Sequence, residues 1–164
     1  MTQKILVVDD EHSIRESLSK VLRAEDYEVV CAENGQEAVG TFGAEKIDLL
    51  LLDLGLPVKD GWSTLEWLDQ VNPFLPIIII TGRNAQRELA QKAGADALMQ
   101  KPLNVPRLLE TIRDLLDEPI ESRARRAHNC TSGFRYVSCD HDLFREMLRE
   151  RFTTPCPCPG LKDP

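Results

Sequence analysis

Five side chains able to handle charge lie far apart in this sequence, yet each stands at the end of a short apolar run. Asp9 and Asp10 follow Ile5-Leu6-Val7-Val8, Asp53 follows Leu49 to Leu52, Thr81 follows Ile77 to Ile80, and Lys101 comes just after Ala97-Leu98-Met99 and before Pro102. If those runs are neighbouring strands, all five side chains converge. Three converging carboxylates repel one another and call for a cation. Hard oxygen ligands, with room left for water and a phosphate oxygen, suit magnesium. Lys101 adds a second, mobile positive charge, and Thr81 a hydroxyl donor. Metal, ammonium and hydroxyl together cradle a phosphoryl group, whose transfer needs positioning and charge neutralisation more than covalent help. Asp53 is then the candidate nucleophile, because a carboxylate can carry a phosphoryl group as an acyl phosphate. Taken singly, an aspartate at a strand end is as often a helix cap, Thr81 a turn residue and Lys101 a solvated charge. The joint placement carries the argument.

The elements that must position these residues alternate. Ile5 to Val8 is a continuous apolar run, as expected of a strand buried on both faces. Ile14, Leu18, Val21 and Leu22 recur at the spacing of one helix face. Glu28 to Ala32 reads as a second strand, and Asn34 caps a helix with Glu37 reaching back. Leu49 to Leu52 is a third strand. Trp62, Leu65, Leu68 and Val71 mark a helix that stops near Asn72-Pro73. Ile77 to Ile80 is a β-branched fourth strand. Leu89, Ala90 and Ala93 share a helix face ended by Gly94. Ala97 to Met99 is a weak fifth strand. Val105, Leu108, Leu109, Ile112, Leu115 and Leu116 form a last helix capped by Asn104. Five such βα units within residues 1–117 predict an α/β protein, a doubly wound five-stranded parallel sheet with helices on both faces. Right-handed crossovers leave few topologies. In such sheets the functional crevice lies at the carboxyl ends of the strands, where the five residues stand.

Length and charge fit one domain and a tail. The chain has 164 residues and a net charge of −7. Residues 1–117 carry 20 acidic and 12 basic side chains and residues 118–164 carry 7 and 8, so the body is acidic and the tail near neutral. An acidic body argues against non-specific nucleic-acid binding. The start of the chain has no secretory pattern and no stretch is long enough to span a membrane, which together favour the cytoplasm. Cys31 lies in the body, and Cys130, Cys139, Cys156 and Cys158 in the tail. In the cytosol they read as free thiols or metal ligands before disulfides.

Residues 1–117 resemble the receiver domain of two-component response regulators. The matching stretches are Ile5-Leu-Val-Val-Asp-Asp-Glu11, Asp53-Leu-Gly-Leu-Pro57 with Asp60-Gly61, Thr81-Gly82, and Gly94-Ala-Asp96 leading to Lys101-Pro102. The resemblance implies a flavodoxin-like sheet of order 2-1-3-4-5. It implies that a sensor histidine kinase or phosphotransfer protein donates a phosphoryl group to Asp53. It further implies that Asp10, Asp53 and the Gly55 carbonyl ligate magnesium, with Asp9 acting through water. Lys101 would pair with the phosphoryl group through a cis bond to Pro102, Thr81 would swing toward it, and small Gly82 would leave room for the donor or for water. Such a domain signals by protein–protein contact. It supports its own phosphotransfer and autodephosphorylation rather than turning over a substrate. A homodimer through the face of the fourth helix, fifth strand and last helix is a candidate assembly, and the downstream target stays unnamed. Leu98 and Leu103 stand where many members carry aromatics, so the output face is expected to change by helix repacking rather than by a swinging ring.

The tail does not continue the pattern. Residues 1–118 are expected to form the domain and 119–164 an extension. Glu121 to Arg126 is a polar, basic linker, and Phe134 to Val137 reads as a short strand. Asp140 caps an amphipathic helix carrying Leu143, Phe144, Met147, Leu148 and Phe152, after which Pro155, Pro157 and Pro159 forbid regular structure. The tail cysteines with His128 and His141 have poor spacing for zinc. Two other readings are a DNA-binding regulator with a small basic module and an adaptor that works without phosphorylation; the intact acidic set argues against the second.

Overall fold

A computed structural model describes residues 2–56, 61–82, 90–91, 94–119, 121–123 and 135–137. The first five strands and the first three helices run in chain order as β1 (Lys4–Val8), α1 (His12–Ala24), β2 (Glu28–Ala32), α2 (Gly35–Ala44), β3 (Leu49–Asp53), α3 (Gly61–Val71), β4 (Ile77–Thr81) and β5 (Ala97–Gln100). They are followed by α4 (Val105–Asp117) and β6 (Arg135–Val137). All strand pairs are parallel, and the sheet order is β2-β1-β3-β4-β5-β6. The first five places are those expected. The sixth strand, on the outer edge of β5, is an addition to the five-stranded expectation. Of the helix expected before Gly94, Ala90 and Gln91 are helical, and its other residues lie outside the described set apart from Gly94 itself, whose φ is +86°.

The apolar runs split by parity, as a pleated strand requires. Leu6, Val8, Leu50, Leu52, Ile77, Ile79 and Leu98 face one side, against Ala38 of α2 and Leu65 and Leu68 of α3. Ile5, Val7, Leu49, Leu51, Ile78, Ile80, Ala97 and Met99 face the other, against Leu18 and Leu22 of α1 and Leu108, Ile112 and Leu115 of α4. Both faces are buried, which is why these strands lack polar alternation. Arg113 of α4 also pairs with Glu25 at the end of α1, closing that layer.

The helix starts follow local chemistry. Asn34 Oδ1 accepts from the Glu37 N–H at 2.9 Å. Glu37 does reach back, but to the N–H of Glu33 at 2.8 Å, one residue before the cap. Asn104 accepts from the Arg107 N–H at 3.2 Å, and Pro106 sits within the first turn, where a missing N–H costs nothing. The tail helix expected after Asp140, the linker from residue 124 and the tail cysteines lie outside the described residues. Cys31 is a free thiol, 3.1 Å from the Ser19 hydroxyl.

Candidate functional site

Strand register brings the five residues together. Val8 is level with Leu52, so Asp9 stands level with Asp53 on the next strand. Asp53 is level with Ile80, which places Thr81 one residue further out. Thr81 is level with Gln100, so Lys101 leaves the sheet just beyond it, and the Lys101 N–H donates to the Thr81 carbonyl at 2.9 Å. The bond from Lys101 to Pro102 is cis, as expected.

The Lys101 ammonium lies between two carboxylates, donating to Asp9 Oδ2 and to Asp53 Oδ2 at 2.8 Å each. The other oxygens of those carboxylates are held by backbone. Asp53 Oδ1 accepts from the Gly55 N–H at 2.8 Å, and Asp9 Oδ1 from the Glu11 N–H at 2.9 Å. Both carboxylates are thereby fixed in orientation inside a buried pocket, with Asp9 1% exposed. Asp10 is exposed at the rim. Oxygens of Asp9, Asp10 and Asp53 all lie within 4.8 Å of one another. Thr81 is buried beside them, and a side chain built at Gly82 would meet open space.

Arg15 was not singled out by sequence reasoning, and Gly61 entered only within the Asp60-Gly61 stretch, with no role assigned. Arg15 of α1 donates to the carbonyls of Asp9 and Asp10 at 2.7 and 3.0 Å, pinning the backbone that presents both carboxylates. A cation near a helix N-terminus opposes the helix dipole, and that misfit was the available signal. Gly61, the first residue of α3, packs so closely that a Cβ there would lie 2.6 Å from Leu54 Cα and 2.8 Å from the Asp53 carbonyl. The resemblance marks Gly61 by its place after Asp60, and this close approach is the physical reason for a glycine there. Leu98, expected where relatives carry an aromatic, is fully buried in the core, and Leu103 packs half-buried against the opposite cluster.

Charge balance sets the protonation of the pair. Burial raises Asp9 above the ordinary aspartate range. The Lys101 and Glu11 hydrogen bonds oppose that rise, and the charge of Asp53 reinforces it. Burial pushes Lys101 down, but its hydrogen bonds to Asp53 and Asp9 outweigh this and leave it raised. Both are raised, with opposite meaning: the charged form of Lys101 is favoured by its two carboxylate partners, whereas burial disfavours the charged form of Asp9 more than its share of one ammonium favours it. The folded chain therefore holds the Asp9 proton more tightly than the unfolded chain does. As pH rises from the ordinary aspartate value through the raised folded one, the unfolded state ionises first and folding stability falls. Denaturation midpoints measured against pH in chelator should fall across that window for wild type, and Asp9→Asn should flatten the fall.

The sequence matches the response regulator receiver domain over residues 5–113. The chain belongs to this family. It is 35% identical over 138 residues to the response regulator MprA of Mycobacterium bovis strain BCG, a match covering 80% of this chain and 60% of that relative. The chain thus spans about 60% of the length of that relative. Among solved structures, a CheY-like receiver domain protein from Methanospirillum hungatei superposes with a TM-score of 0.70 at 35% identity, covering 74% of this chain and 98% of that one. The response regulator TrrA of Thermotoga maritima, solved with magnesium and a beryllium fluoride, gives 0.66 at 34% identity over 70% of this chain and 99% of its own. Receiver domains of two-component systems are signalling modules rather than turnover enzymes.

Proposed function

We propose that this chain is the phosphoacceptor of a two-component phosphorelay and that Asp53 takes the phosphoryl group. The observation that carries the reading is the Lys101 ammonium set at 2.8 Å from both Asp9 and Asp53, beside a third carboxylate within metal-sharing distance. The donor is a phosphohistidine on a sensor histidine kinase or phosphotransfer protein. An Asp53 carboxylate oxygen attacks phosphorus, the P–N bond breaks, and its electron pair stays on the imidazole nitrogen. Lys101 and the Gly55 N–H hold the Asp53 carboxylate in orientation; Lys101 then neutralises charge on the transferred group, and the Thr81 hydroxyl donates to it.

The donor set fits magnesium, because all the candidate ligands are hard oxygens and the Asp10 side leaves room for water. Asp10, Asp53 and the Gly55 carbonyl would hold the ion, with Asp9 acting through water. The metal would supply neutralisation of the charge that builds on the phosphoryl oxygens. Hydrolysis of the acyl phosphate through the space above Gly82 resets the domain. Residues 1–118 form the signalling body and 119–164 an extension. Output passes by protein–protein contact, and because Leu98 is locked in the core it does so by helix repacking, with a homodimer through the face of the helix before Gly94, β5 and α4 as one assembly. No described helix is long and apolar enough to cross a membrane; a kinase donor in the cytosol would place the chain there.

Full-length protein incubated with acetyl phosphate and magnesium should gain one phosphoryl adduct by intact mass, and absence of an adduct would sink the reading. Arg15 supports the same site from behind. Arg15→Met should weaken magnesium binding by about ten-fold, as loss of a group that orients ligands commonly does, and Arg15→Lys should recover part of it. Titration calorimetry measures both, and unchanged affinity in Arg15→Met would remove Arg15 from the site.

A further inference from the structure

The acidic crevice takes the carboxyl end of the sheet. The opposite end holds a cavity of about 410 Å³, a volume in the range of ligand sites. It forms where the chain enters β1, β3 and β4, at Gln3, Lys46-Ile47-Asp48 and Phe74-Leu75-Pro76, and where α4 ends, at Leu116 and Arg123. Ile47, Leu75 and Leu116 give it an apolar wall. Phe74 lines it as well and is 41% exposed, and Val71, three residues earlier at the end of α3, is 53% exposed. No other large apolar side chain among the described residues is exposed. Apolar surface left in water at one place marks a contact site, whereas single scattered residues do not.

Two cations line the same cavity. Arg123 is held in place by carbonyls. Its Nη2 donates to those of Leu115 and Leu116 at 2.8 and 2.9 Å, capping the last turn of α4, and its N–H donates to the Pro119 carbonyl at 3.2 Å. Carbonyls fix a guanidinium without neutralising it, and among the described residues no carboxylate pairs with it. Lys46 is 88% exposed and lies 3.7 Å from Asp48 Oδ1. Asp48 is already engaged, since its Oδ2 accepts from the Lys4 N–H at 2.9 Å. One carboxylate thus faces two cations, on a body that is acidic as a whole. The surplus charge beside the apolar wall is complementary to a group that is apolar at one end and anionic at the other, and a fixed guanidinium suits a carboxylate.

We propose that this cavity binds a peptide segment of a partner protein, in which an apolar side chain packs against Ile47, Leu75 and Phe74 and an aspartate or glutamate within three residues of it pairs with Arg123 and Lys46. Gln3 and Asn72 also line the cavity, and their primary amides both donate and accept, as a peptide backbone requires. A chain fits better than a small acid because the exposed apolar surface runs on past the cavity to Val71. The site lies at the far end of the sheet from Asp53 and does not depend on the phosphoacceptor reading.

The test titrates capped peptides into the isotope-labelled full chain and follows amide NMR signals. Each peptide is built of serine and glycine around one leucine, with a glutamate placed one, two or three residues away, and each has a twin with glutamine instead. The glutamate peptides should move the signals of Lys46 to Asp48, Phe74, Leu75, Leu116 and Arg123 and leave those of Asp9 and Asp53 in place. The best of them should bind about ten-fold tighter than its glutamine twin, the scale of one charge-assisted hydrogen bond. Arg123→Gln should erase that ratio. Lys46→Gln should reduce it, and since Lys46 is exposed this variant guards against a folding defect at the end of α4. Phe74→Ser should weaken both twins alike. No shifts around the cavity at millimolar peptide, a ratio near one, or a ratio that neither charge variant changes overturns the site. N-acetyl-leucinate binding as tightly as the best peptide shows a small-acid site and overturns the peptide assignment. Cavity signals that move with protein concentration alone place a second copy there and overturn the partner protein.

Discussion

Asp53→Asn protein treated with acetyl phosphate and magnesium should show no phosphoryl adduct, while wild type gains one. The expected loss is complete because the neutral amide is a poor nucleophile and would leave Lys101 with a single carboxylate. The substitution removes little shape, so a folding defect is not the expected cause. It takes away the Oδ2 acceptor, one of two that hold the Lys101 ammonium at 2.8 Å, and leaves Asp9 as the other. In chelator it should therefore make folding stability somewhat higher than wild type, because it relieves one carboxylate of a mutually repelling set. The combination of a more stable fold and no adduct distinguishes loss of the acceptor from loss of structure. An adduct that persists in Asp53→Asn would place the phosphoryl group on another side chain and overturn the assignment.

How much of this was legible in the sequence depended on the kind of contact involved. The order of elements was plain, because strands buried on both faces read as uninterrupted runs such as Leu49 to Leu52 and Ile77 to Ile80, and Asn34 and Asn104 announce their helices by local capping. The convergence of Asp9, Asp53, Thr81 and Lys101 could be read because parallel topology sends all strand ends to one side. Local rules could not foresee which atoms meet. That Lys101 divides itself between two carboxylates is set by register across three strand pairs. Arg15 serves the site through backbone carbonyls, which accept from any donor and leave no mark on neighbouring residue types. Gly61 is required by the approach of Leu54 and the Asp53 carbonyl, a tertiary distance. The pairing of Arg135 to Val137 with β5 had a weak signal, since three residues carry little period and nothing local names their partner strand.

The second large effect concerns Lys101. Lys101→Met should cut phosphorylation by acetyl phosphate by about 10²–10³-fold, the scale on which removal of a preorganised charge-stabilising group slows transfer. It should also destabilise the metal-free fold. Asp9 and Asp53 have side chains only 2% and 9% exposed, and removing their shared cation leaves two desolvated carboxylates facing each other. Breaking a buried pair in this way costs about 3–5 kcal/mol; here protonation of Asp9, already raised by burial, limits the loss to the lower end. Two further consequences separate this account from a packing defect at the cis bond. The destabilisation should shrink as pH falls, because protonated carboxylates no longer need the ammonium. It should also shrink as magnesium is added, because an ion bound only to the folded state stabilises it by mass action and replaces the missing positive charge. Urea denaturation of both proteins, in chelator and in magnesium, at neutral and acid pH, gives the four comparisons. If the deficit of Lys101→Met is the same in all four, the lysine acts through packing at the strand end rather than through charge, and the shared-ammonium account of this site fails.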